Sequence, residues 1–168
     1  MTCFRKAVPL VLTLCAALMA QTACATAPVA SSAAPTSKIS RDPFFAGLVT
    51  RARRLESETK AFTPALDLLQ QPKFKIYTQA IRNLSADDQK GHMTLKARGT
   101  DNDLKCIMKG LSLDLNIKMD AILTAKSDAE VGTALNNMAA LLRDHIDVIV
   151  TPATADSGLD CVIEFGNT

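Results

Sequence analysis

Apolar side chains recur at helical spacing along most of residues 41–168. Phe45, Leu48, Ala52 and Leu55 follow Asp42-Pro43 at steps of three, four and three. That is one face of an amphipathic helix reaching about Lys60, with Asp as N-cap and Pro at the first helical position. Thr63-Pro64 repeats the start signal, and a short helix over residues 65–71 ends before Pro72. Phe74, Tyr77, Ile81 and Leu84 then repeat the same spacing. Ser85 and Asp88 look like a capping box, so the spacing predicts a break there and a further short helix ending before Gly99.

The clearest element is the last. Ser127 with Glu130 forms a capping box, and Val131, Leu135, Met138, Leu142, His145 and Ile149 follow at steps of four, three, four, three and four. This heptad seam predicts a long helix that stops at Thr151-Pro152. The seam can pack inside its own chain or against a second copy, so a homo-oligomer through residues 131–149 is an expectation of the pattern.

Residues 103–119 are ambiguous. Leu104, Met108, Leu111, Leu115, Met119 and Ile122 make a helical stripe. Leu111, Leu113, Leu115, Ile117 and Met119 also alternate strictly with Ser112, Asp114, Asn116 and Lys118, as a strand would. Gly110 weakens a helix by about 1 kcal/mol relative to alanine. The stripe continues beyond the alternating part on both sides, so helix is the better reading, with a kink near Gly110. The expected fold is mainly α, a small bundle of about four to five helices. The alternative is an α+β fold whose small sheet includes residues 161–165.

The first forty residues follow another pattern. Arg5 and Lys6 precede an apolar run over residues 7–20, then a small-residue segment. This is a secretory signal, too short to span a bilayer as a transmembrane helix. Ala23-Cys24-Ala25 favours cleavage after Ala25, because a cut after Ala27 would leave Pro28 at the new terminus. Cys24 supports a rival reading as a lipidated first residue, although the leucine expected three places earlier is Gln21. Residues 26–40 are rich in Ala, Ser, Thr and Pro and read as a disordered linker. The expected organisation is a signal peptide over 1–25, a linker over 26–40 and one helical domain over 41–168. The expected location is periplasmic or secreted, or the membrane surface if Cys24 is acylated.

Processing changes the charge balance. Losing Arg5 and Lys6 leaves 17 basic against 17 acidic residues. That excludes the global basic surface on which nucleic-acid binding relies. Of five cysteines, Cys106 and Cys161 remain in the mature chain. Two cysteines in an exported chain predict a disulfide, here tethering the C-terminal tail, with about 4 kcal/mol of stabilisation from the long loop it closes.

Catalytic signatures are missing: the sequence contains no G-x-S-x-G, H-E-x-x-H, G-x-G-x-x-G or P-loop pattern. His145 lies on the apolar seam, where a core histidine with a hydrogen-bonded neighbour is the ordinary reading. The sharper reading pairs His145 with Met138, Met108 or Met119 as axial ligands of a haem in the bundle. His92 follows Asp88 by four residues, but two ligands do not make a metal site. Residues 101–106 resemble the start of an EF-hand loop, except that Cys106 stands where glycine is required. Asp144, His145 and Ser157 could be drawn as a hydrolase triad without support from their spacing. Arg51, Arg53 and Arg54 cluster on the outer face of the first helix, where they could meet an anionic partner.

The chain therefore reads as an exported, non-enzymatic binding or interaction protein with no resident cofactor or metal. Its expected partner is another envelope protein. Alternatives are a ligand-, metal- or haem-binding bundle, or a membrane-tethered lipoprotein with a chaperone-like or envelope-stress role.

Overall fold

A computed structural model describes residues 38–99 and 103–152. They form four α-helices in up-down-up-down order: α1 (Pro43–Ala61), α2 (Pro72–Arg98), α3 (Leu104–Leu123) and α4 (Asp128–Val150). Short 3-10 turns at Ile39–Arg41 and Leu66–Gln70 precede α1 and α2. Helix α1 packs on α2 and α4, and α3 packs on α2 and α4, which leaves α2 and α4 facing each other across the centre.

The local causes of the helix ends match the expectation. Asp42 caps α1 by accepting the Phe44 N–H at 2.9 Å, with Pro43 at the first helical position. Ser127 Oγ accepts the Glu130 N–H at 3.2 Å, and the Glu130 carboxylate reaches back to the Lys126 N–H at 2.7 Å. Gly99 closes α2 at φ 63°, the left-handed conformation that glycine adopts without strain.

Two expectations are corrected. The break at Ser85 does not occur: α2 is one helix of 27 residues. Ser85 Oγ donates to the Ser112 carbonyl of α3 at 2.7 Å instead of capping its own backbone. The α+β alternative also falls, because residues 111–119 lie within α3 and no strand occurs among the described residues. In the helix, Leu111, Leu115 and Met119 turn inward while Leu113 and Ile117 turn outward, Ile117 remaining 60 % exposed. The short helix expected before Pro72 is a 3-10 turn. Residues 161–165 and the proposed tail lie outside the described residues.

The core is aliphatic through the middle, with Phe44 edge-on to the buried Phe45 at one end and a cluster of three aromatic rings at the other. There Phe62 meets Phe74 and Tyr77 edge-on, at centroid distances of 5.4 and 5.1 Å. Tyr77 shares a 2.5 Å hydrogen bond with Thr59, and burial pushes its phenol up. Each residue of the α4 seam is buried within its own chain. No described helix is long and apolar enough to cross a membrane.

Candidate functional site

Two polar clusters inside the bundle are built on α2, at successive turns. The outer turn faces α3. Arg82 donates to Asn116 Oδ1 at 2.7 Å and also meets Asp120; Asn116 Nδ2 donates to Ser85 Oγ at 2.8 Å; Ser85 donates to the Ser112 carbonyl. The chain of bonds grades from buried hydroxyls to a half-exposed guanidinium, so its charged end stays wet.

The inner turn faces the centre. Asp88 of α2 and His145 of α4 share a hydrogen bond of 2.8 Å between Oδ1 and Nε2. Both side chains are 0 % exposed. Asp88 Oδ2 and His145 Nδ1 are buried without a hydrogen-bond partner. Burial pushes the Asp88 carboxyl up, a direction that the His145 hydrogen bond, the His145 charge and Arg51 oppose and nearby Asp87 reinforces. Arg51 reaches the neighbouring Asp87 at 2.7 Å, and Lys90 reaches it at 2.8 Å. These two cations, Lys90 foremost, hold the Asp87 carboxyl below the usual range.

The residues singled out in the sequence scatter through this frame. His145 lies on the seam as expected, with its Nε2 engaged by Asp88 rather than open to a ligand. Met138, Met108 and Met119 are each 0 % exposed in the same core. His92 is buried and donates its Nδ1–H to the Lys105 carbonyl at 2.6 Å, tying α2 to the start of α3. The grouping of Asp88 with His92 on one helix face holds, but Asp88 takes its partner from α4. Asp144 is exposed on α4, pointing away from the buried His145, and Ser157 lies outside the described residues. Cys106 is half-buried near the start of α3, while Cys161 and Cys24 lie outside the described residues. Of the arginine cluster, Arg51 is spent on Asp87 and Arg54 lies 3.9 Å from Glu58. No group of three or more His, Cys, Asp or Glu able to hold a metal occurs among the described residues.

Sequence reasoning missed the Asp88–His145 pair. The partners lie 57 positions apart, and neither helix carries a mark that names the other. The one available signal was Asp88 itself, an acid on the inward stripe of α2. No family model, curated protein or solved structure matches the chain.

Proposed function

We propose that the chain is an exported envelope protein that acts by binding another protein at its surface and not by catalysis. The observation that carries this reading is the commitment of the interior chemistry to structure. The chain has two histidines. One is sealed against Asp88 in the core and the other holds a backbone carbonyl. Neither imidazole is presented to a substrate, as general acid–base work requires. Large apolar side chains stand on the outside instead, notably Ile76, Ile117 and Met93 at 72, 60 and 55 % exposure. The α4 seam is spent inside its own bundle, so a second copy or another protein would meet those outer faces.

Export is supported by the signal pattern over residues 1–25, with cleavage after Ala25 and a free mature chain. A disulfide between Cys106 and Cys161 belongs to the same reading. Its support is that processing, by removing Cys3, Cys15 and Cys24, leaves these two as the cysteines of an exported chain.

The test is fractionation of cells expressing the full chain, followed by in-cell crosslinking from an engineered photoreactive residue at Ile117. The expected result is a periplasmic protein beginning at Thr26 that crosslinks to a discrete envelope protein. Retention in the cytoplasm would overturn export, and acylated Cys24 would replace the free form by the lipoprotein. A visible absorption band in the purified protein would overturn the interaction reading in favour of a cofactor carrier.

A further inference from the structure

Asp88 and His145 join two helices that otherwise face each other only across the centre of the bundle. With one proton between them the pair is neutral overall, whichever atom carries it. Loss of that proton leaves one negative charge among side chains that exclude water, and an uncompensated buried charge is among the most costly groups a core can hold. The closed pair is also incomplete, since Asp88 Oδ2 and His145 Nδ1 find no partner. A partly satisfied buried polar pair gains less from staying closed than a fully bonded one. We propose that the Asp88–His145 pair is a proton-controlled latch between α2 and α4, closed while it holds its proton and released as the pH rises.

The surroundings leave the pair's own proton as the controlling charge. From α1 the acting group is Arg51, already paired with Asp87. From α2 the groups are Asp87, whose charge repels that of Asp88, and His92 one turn on, whose Nδ1–H is committed to the Lys105 carbonyl. The buried residues of α3 include no titratable side chain. On α4, the titratable Arg143, Asp144 and Asp147 are exposed. The 3-10 turn before α1 buries only Ile39.

The direction follows from Asp88. Its carboxyl is raised by burial relative to the unfolded chain. Its contribution to the closed state is therefore made while the pair keeps its one proton. That contribution is lost as the pH rises through the higher folded value. One proton released on opening raises the opening equilibrium by at most about tenfold per pH unit.

Amide hydrogen exchange of the purified mature protein, corrected for intrinsic rates and run from pH 5 to pH 8.5, tests this. The expected result is protection in residues 84–95 and 142–149 that falls several-fold per pH unit, with the end of the bundle around Phe62, Phe74 and Tyr77 unchanged. Asp88→Asn should flatten that dependence, while Asp87→Asn should keep it. Protection independent of pH in the wild type, or an unchanged profile in Asp88→Asn, overturns the latch. Should Asp88→Asn not fold, the carboxyl carbon of Asp88 is followed by NMR in the wild type. It should titrate above the ordinary aspartate range, in step with the loss of protection. Titration within the ordinary range overturns the latch as well.

Discussion

Ser85 and Asp88 sit one turn apart on α2, both buried, both polar, and they handle burial in opposite ways. Ser85 donates to the Ser112 carbonyl and accepts from Asn116, which passes the connection to Arg82 at the surface. Every step moves toward solvent and no charge is sealed in. Asp88 is tied only to His145, both at 0 % exposure, with one polar atom on each left over. A network that runs outward can be trimmed cheaply, because water replaces what is removed. A sealed pair has no such reserve.

The largest expected effect breaks the sealed pair. Asp88→Ala leaves His145 without its partner in the core and should cost about 3–5 kcal/mol in urea unfolding. Replacing both, Asp88→Leu with His145→Leu, should recover most of that loss, because two apolar side chains need no partner. A double variant as damaged as the single one would show that shape, not charge, makes the pair matter. Next comes Leu142→Ala, one turn before His145 on the same seam and fully buried. It should cost about 2–5 kcal/mol, which sets the scale of an ordinary core deletion here. Ser85→Ala should cost only about 1 kcal/mol, since Asn116 and Arg82 lie at the outer edge of the network. A loss as large as that of Asp88→Ala would erase the contrast.

The smallest effect concerns two glycines and favours stability. Gly110 of α3 has open space where a Cβ would stand, whereas Gly91, one turn beyond Asp88, has Met108 Cε at 3.1 Å and Phe45 Cε1 at 3.3 Å from that point. Gly110→Ala should raise the unfolding free energy by about 0.5–1 kcal/mol. Gly91→Ala should gain less or lose, because the added methyl must displace packed neighbours. Equal gains at both would mean that the layer beside the pair is looser than its contacts indicate.

The helices that hide one continuous stripe were legible from spacing alone. Helix α4 is the best case: its cap, its seam and its stop are local features, and each lies where the pattern puts it. Helix α2 was misread at Ser85 because a serine followed three residues later by an acid has two uses. Its side chain can cap its own backbone or reach a neighbouring helix, and only the neighbour decides. The alternation in residues 111–119 misled for a related reason. A helix of a bundle can turn the half-buried Leu113 and the exposed Ile117 outward, and those supply two of the five apolar residues of a strand-like pattern. The Asp88–His145 pair was out of reach in principle, since it depends on which helix stands diagonal to which.

The closure of α1 against α4 has a consequence for the chain as a path. The 3-10 turn at Ile39–Arg41 packs against α4, so the entry to the domain and its last helix meet at the same end of the bundle. Ser40 and Val150 line one small cavity there. Entry and exit so close together make the four helices nearly a ring, in which the order of synthesis is not dictated by the packing. A circular permutant that joins the old ends by a short flexible linker, and opens instead at the exposed Thr63-Pro64 connection, would keep all four helices and the pair at their centre.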